Sequence, residues 1–353
     1  MNTVLYFYRW DARYLECAQM SGRIVVTYSV LEKEIASGSE DFLKLQREGV
    51  KIFAAIPSIG TGYHDQRMGK WIALLREMIA QKEDGITSAK KKGLKEDGKG
   101  EKFCSARGTE PKPKSIHSVK KKGFEGRFIP DGIYMGNQGQ YEMLRGLPIE
   151  IFGDEGLNVF NRYALDFWRG LGLSGNVLSY ELEAGDIKGL FFRKKMKVWK
   201  GKDRFFANEN LKEKEVESEG IDRKKDGLEK DEPADNFFTE TLIYGRIPVM
   251  VSEYCPIAGT MGIGRKHCQI CKGKEQIVLR SERGEGYPVL ADDQSCQTMI
   301  LSGKPVDRRA VLEDFSAELF FSKRKFNDSF LYRICIYDEP VGEVMALLKE
   351  IQP

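Results

Sequence analysis

The residues with the most distinctive chemistry are four cysteines in one glycine-bearing stretch: Cys255, Cys268, Cys271 and Cys296. Cys268 and Cys271 form a CxxC knuckle, in which two thiolates bind one metal while nearby backbone amides face the sulfurs. Cys255 and Cys296 flank the knuckle, and glycines 259, 262, 264 and 273 let the chain bend around a compact centre without Cβ clashes. The expectation is a four-thiolate metal site. A structural zinc site usually pairs two knuckles and here there is one, so zinc fits without being demanded. An iron–sulfur cluster also takes four cysteines and tolerates scattered spacing. His267, beside Cys268, is a spare ligand, and a loop of free thiols is the blandest alternative. Spacing leaves the metal open.

The surrounding runs narrow it. LIYGRIPVMVSEYCP, HCQIC and IVLRSERGEGYPVLADDQSCQTMILSGKPV together resemble the cysteine region of the collagenase-like peptidase U-32 family. Tyr244 to Pro256 matches the segment preceding the cluster cysteines, Leu279 to Val289 the strand pair, and Cys296 to Pro305 the last cysteine and its tail. DGIYMGNQGQYEMLRG, GDEGLNVFNRYALDFWRGLGL and VLSYEL are similar to its barrel strands. The likeness covers most of residues 130–190 and 240–310. It implies a 4Fe–4S cluster on Cys255, Cys268, Cys271 and Cys296, with structural zinc as the alternative. It also implies one of two activities: hydroxylation-type modification of RNA or of a quinone precursor, or proteolysis of collagen-like chains. The family's usual Gly- and Ala-rich opening segment is absent, so the chain resembles the second half of long tandem members. A non-catalytic role beside a homologous first-half protein is therefore a third expectation.

Elements able to position such a site alternate along the chain. Val4–Trp10, Arg23–Tyr28, Lys51–Ile59, Gly132–Gly139, Ile149–Asn161, Asn176–Leu182 and Thr241–Val251 read as strands or strands with their terminal loops. Helical patterns lie between them, including Val30–Glu48 and Asp65–Gln81, the latter with Trp71, Leu74, Leu75 and Met78 on one stripe. Alternation of this kind predicts parallel strands with crossover helices, hence an α/β, TIM-barrel-like sheet, complete or with strands missing. In such barrels the working groups sit at the carboxyl ends of strands. Those ends offer Asn137, Gln138, Asp154, Asn158, Asn161, Ser179, Glu181 and Glu253. Asp154, Asn158, Glu181 and Glu253 are the candidate catalytic residues, with Asp154 and Glu181 facing one mouth as an acid–base pair or as the binders of a cationic or hydroxylated substrate. Asn158 and Asn161 serve equally well as helix caps. Cys17 and Cys335 read as packing residues.

The chain has 353 residues, 41% hydrophobic and 31% charged, with net charge +3. That length supports a large core, divided as a barrel-like domain over 1–251 and a cysteine region with C-terminal strands and helix over 252–353. Two charged insertions, 88–127 and 193–235, are too polar to offset their ordering entropy and read as disordered. The first is lysine-rich and suits an RNA backbone; the second mixes charges and reads as solvating. No apolar run reaches the ~18 residues needed to span a bilayer, and no secretory leader opens the chain. An odd cysteine count without a disulfide framework points to the cytoplasm. There is no HExxH or GxSxG motif, and His64, His117 and His267 lack a nucleophile–base context, which weakens the peptidase expectation.

Overall fold

The structure is a computed structural model that describes residues 2–37, 40–60, 62–93, 128–191, 237–260, 277–292, 297–309 and 330–351. Strand β1 (Thr3–Phe7) leads to α1 (Leu15–Ser21), β2 (Arg23–Thr27), α2 (Tyr28–Ser37), α3 (Asp41–Arg47) and β3 (Lys51–Ala55). Then come α4 (Gly62–Gly93), β4 (Gly132–Met135), α5 (Tyr141–Leu144), β5 (Glu150–Gly153), α6 (Arg162–Gly170), β6 (Gly175–Val177) and α7 (Ala184–Phe191). Strand β7 (Phe238–Gly245) is followed by a small-sheet excursion. It comprises β8 (Pro248–Ser252), α8 (Pro256–Thr260), β9 (Ile277–Arg280), β10 (Gly286–Ala291), β11 (Thr298–Leu301) and β12 (Val306–Asp307). Strand β13 (Phe330–Ile336) and α9 (Val341–Ile351) end the described chain.

Eight parallel strands pair in the circular order β1, β2, β3, β4, β5, β6, β7, β13 and back to β1, closing a TIM-barrel-like α/β fold. Closure is by β13, whose Tyr332 to Ile336 pair with Thr3 to Phe7. The barrel is thus complete. Its eighth strand comes after the cysteine region, so a boundary at 251/252 separates β13 and α9 from the barrel they finish. Short β12 adds antiparallel to β7 at Gly245 and Tyr244.

Period-2 alternation divides each strand between two cores. Leu5, Phe7, Ile24, Val26, Ile52, Ala54 and Ile133 point outward to the helix layer, where Trp71, Ile72 and Leu75 of α4 and Leu165 and Trp168 of α6 meet them. Val4, Tyr6, Val25, Phe53, Tyr134, Phe152, Val177, Leu242 and Cys335 point inward. Arg23 lies at the amino-terminal end of the interior, its guanidinium 4.6, 5.2 and 5.3 Å from the ring centres of Phe53, Phe152 and Phe238. Cys17 and Cys335 are fully buried, in accord with their reading as packing residues.

Strand β7 does not run on into β8 as one strand, although Thr241 to Val251 read as one. Gly245 adopts φ 127°, and a Cβ there would lie 2.2 Å from the Cys335 carbonyl oxygen. The chain breaks at that glycine, and β8 starts a separate antiparallel sheet of order β8-β11-β10-β9. Arg246 anchors the corner: its Nη1 donates to the carbonyls of Ser302 (2.8 Å) and Gly303, and its own carbonyl accepts from Tyr8 OH at 2.9 Å. Leu290 and Met299, opposite one another in the β10–β11 ladder, pack down on the inner barrel cluster. The small sheet is a roof over one side of the barrel mouth.

Other boundaries differ from expectation. Val30–Glu48 is two helices, α2 and α3, and α4 runs beyond Gln81 to Gly93, overlapping the start of the lysine-rich segment. The rest of that segment, the mixed-charge segment 193–235 and the first of the expected C-terminal strands, at AELFF, lie outside the described residues. No helix among the described residues is long and apolar enough to cross a membrane.

Candidate active site at the barrel mouth

Under the roof lies a cavity of about 220 Å³. Its wall is built from carboxyl ends of consecutive strands: Tyr8 and Arg9 after β1, Thr27 and Tyr28 at β2, Ala55 to Ser58 at β3, Gly136 after β4, and Asp154 and Glu155 after β5. Leu290, Ala291, Asp292, Gln297 and Met299 close it from the roof. Gln297 is tied to the barrel through its Nε2, which donates to the Ile59 carbonyl at 3.1 Å. Asp292 stands 3.9 Å from Nη1 of Arg67, which also pairs with Glu32.

The floor is a charged network. Arg333 of β13 is fully buried. Its Nε donates to Glu240 of β7, and its Nη1 to Asp154 Oδ1 at 2.7 Å and to Tyr180 OH at 3.0 Å. Tyr134 OH donates to the other Glu240 oxygen at 2.6 Å. The guanidinium lies over the rings of Tyr6 and Tyr134, 4.7 and 5.1 Å from their centres. Burial opposes the Arg333 charge, but Asp154 and then Glu240 outweigh it and hold the group above its ordinary range. Arg333 Nη2 has no hydrogen-bond partner among the described residues.

Above this floor Glu155 opens a 3-10 turn, Glu155–Leu157, capped by Asp154, whose Oδ1 accepts from the Glu155 N–H at 3.0 Å. The Glu155 side chain is half-buried and lines the cavity. Desolvation, then the charge of Asp154 and a hydrogen bond with it, push the Glu155 carboxyl well above the usual carboxylate range; Arg333 opposes the shift. Burial likewise raises Tyr6, Tyr8, Tyr134 and Tyr180. It also pushes the Cys335 thiol up to about 12, so that sulfur is inert.

Of the four expected catalytic residues, Asp154 is in the mouth and the others are not. Asn158 is exposed and turns the chain at φ 50°, ending the 3-10 turn. Glu181 is exposed, so the expected Asp154–Glu181 pair is replaced by Asp154 on Arg333. Glu253 is half-buried near the end of β8, away from the cavity lining, with its Oε1 buried and without a partner among the described residues. Asn161 caps α6 by accepting the Ala164 N–H at 3.0 Å, and Asn137 forms a capping box with Gln140. Arg333, Glu240 and Glu155 are missed by sequence reading. A lone arginine inside FLYRICI and a lone glutamate inside FTETLIY were the available signal, since an unpaired charge in an apolar strand demands a partner.

Cys268, Cys271 and Cys296 lie outside the described residues, and among those described no three His, Cys, Asp or Glu side chains gather as a metal site. Cys255 is buried, and its Sγ accepts the Ala258 N–H at 3.5 Å, an amide–sulfur contact that suits a thiolate ligand. The roof register bears on the other three. Ser252 pairs with Thr298, Thr298 with Ala291, and Val289 with Ile277. The end of β8, the start of β11, the end of β10 and the start of β9 therefore share one end of the sheet. From these four ends the chain runs to Cys255, to Cys296, and to the 268–271 knuckle. Glu253 Oε1 and Thr298 Oγ1, both buried and without a partner among the described residues, belong to the same end.

Fold and site define the protein as an α/β barrel with a roofed, tyrosine-lined mouth cavity. Comparison with family models, curated proteins and solved structures returns no match.

Proposed function

We propose that the chain is a peptidase U-32 family protein acting as an iron–sulfur enzyme that hydroxylates a planar ring, a pyrimidine of RNA or a quinone precursor. The observation that carries this reading is the roof register, which brings the chain ends leading to Cys255, Cys268, Cys271 and Cys296 to one end of the sheet covering the cavity. Those four thiolates would hold a 4Fe–4S cluster, which when bound supplies one-electron transfer. A ring C–H becomes C–O–H, while an external oxygen donor gives up the atom and takes the two electrons.

The cavity favours a ring over a peptide. At about 220 Å³ it is below the ~300 Å³ at which drug-sized sites begin. Tyr6, Tyr8 and Tyr28 are among its lining residues, an aromatic wall that suits a ring. The lysines of 88–127 would hold an RNA backbone by displacing its counterions. A second reading, a partner half with a structural metal, draws on exposed apolar residues of the two roof edge strands: Val249 and Met250 on β8, Val278 and Leu279 on β9.

Anaerobic iron and acid-labile sulfide analysis tests the proposal. About four of each per chain is expected in wild type, with loss of both in Cys255→Ser and no change in Cys335→Ser. One zinc and no iron would overturn the iron–sulfur reading.

A further inference from the structure

We propose that the mouth cavity binds a planar ring carrying an oxyanion. Arg9 and Lys33 hold the oxyanion on the side of β1 and β2, and Glu155, after β5, accepts from an N–H or O–H of the ring. For the ring this rests on the ring-substrate reading; the polarity of the cavity is an independent observation.

In the closed ring of eight parallel strands, β1 and β5 stand four places apart in either direction, on opposite sides of the barrel. The charges of the cavity wall are sorted across that diameter. Arg9 follows β1, and Lys33 lies on α2, which begins directly after β2. Ser29, four residues before Lys33, shares its helix face and also lines the cavity. Its Oγ lies 3.4 Å from Oγ1 of Thr27, another lining residue. This side thus presents cations and hydroxyl donors together. Asp154 and Glu155 follow β5 on the far side. Between the two, β3 and β4 bring only uncharged groups to the wall, Ala55 to Ser58 and Gly136. Asp292, contributed by the roof, stands 3.9 Å from Nη1 of Arg67, a cation outside the lining.

A ligand meets this polarity as a constraint on orientation. An oxyanion is attracted to the β1–β2 side and repelled from the β5 side, because Coulomb energy falls with distance. The guanidinium of Arg9 lies 5.6 Å from the centre of the Tyr337 ring, a contact that holds it in place without neutralising it. At the other end, Asp154 Oδ1 already accepts from Arg333 Nη1 and from the Glu155 backbone N–H, which leaves the Glu155 side chain to meet the ring. A carboxyl group accepts a hydrogen bond whether or not it carries a proton. Two sources supply the oxyanion with the same chemistry: the phosphate of a nucleotide, or a carboxylate on the ring itself.

Equilibrium dialysis of the full chain against matched probes tests this: uridine monophosphate beside uridine, and para-hydroxybenzoate beside phenol. In wild type the anionic member of at least one pair should bind about tenfold more tightly than its neutral partner, the scale of a hydrogen bond to a charged group. A preference within the first pair identifies a phosphate, and within the second a ring carboxylate. Lys33→Gln, at an exposed position of α2, and Arg9→Gln should each move the preference toward parity. Glu155→Gln keeps an acceptor and removes an acid, so it should retain the preference. Should Arg9→Gln fail to fold, Lys33→Gln alone decides. Equal binding within both pairs, or a preference unchanged in Lys33→Gln, overturns the proposal and leaves the ring-substrate reading standing. If none of the four rings binds while inorganic phosphate binds and is lost in Lys33→Gln, the ring-substrate reading falls and the oxyanion side is upheld. If phosphate does not bind either, both fall.

Discussion

Replacing Arg333 by methionine isolates the charge on which the barrel interior depends. Methionine keeps an unbranched chain of similar length, so packing changes little while two carboxylates, Glu240 and Asp154, lose their cation inside the fold. Removing one partner of a buried ion pair costs about 3–5 kcal/mol. A carboxylate stripped of its counter-ion can instead take a proton. From ordinary values of ~4.3 for Glu and ~3.9 for Asp, that costs about 3.7 and 4.2 kcal/mol at pH 7. With one of the two taking a proton, the two routes agree on a loss of about 4 kcal/mol, a large part of the ~5–15 kcal/mol that keeps a domain folded. The second route also predicts a pH dependence. At pH 5 the protonation costs fall to about 1.0 and 1.5 kcal/mol, so the deficit against wild type should shrink to ~1–2 kcal/mol. Urea denaturation of both proteins at the two pH values reads this directly. A deficit below ~1 kcal/mol at pH 7, or one that does not shrink at pH 5, would refute the reasoning.

Three further outcomes follow from single contacts. Glu155→Gln should remove a pH dependence. Because the folded carboxyl titrates above its unfolded value, wild type loses stability as pH rises from ~4.3 toward the folded value, by at most ~1.4 kcal/mol per pH unit. The variant should be flatter over that window by denaturation. Asn161→Ala deletes the α6 cap and should cost about 1 kcal/mol in urea midpoint analysis. Gly245→Ala places a methyl 2.2 Å from the Cys335 carbonyl at φ 127°. It should lower the melting temperature far more than Gly49→Ala, where φ is 88° but nothing lies within 4 Å.

What the sequence revealed depended on how local the cause was. Strands β1 to β3 were legible as short apolar runs, and α9 as a pattern over Val341–Ile351, because burial of one face shows within a single element. The break between β7 and β8 was hidden, since it depends on what Gly245 meets across the sheet on β13. Asp154 was found because it ends a strand beside a turn. Glu155 was passed over because its significance comes from lying over Arg333, which is distant in sequence. Glu181 was misplaced because a strand end shows which end of the barrel a residue occupies, and nothing about whether it faces in. The cysteine pattern suggested a metal centre by its spacing, and Cys268, Cys271 and Cys296 lie outside the described residues.

The strand that seals the barrel also carries the cation of its floor: Arg333, which pairs with both acids, arrives on β13, whose Tyr332 docks beside Thr3. Synthesis at ~5–20 residues per second leaves the opening strand without that neighbour for tens of seconds. Until then Glu240 and Asp154 lack the guanidinium that pairs with both in the finished barrel. Neutralising the interior and completing the ring are the same late event.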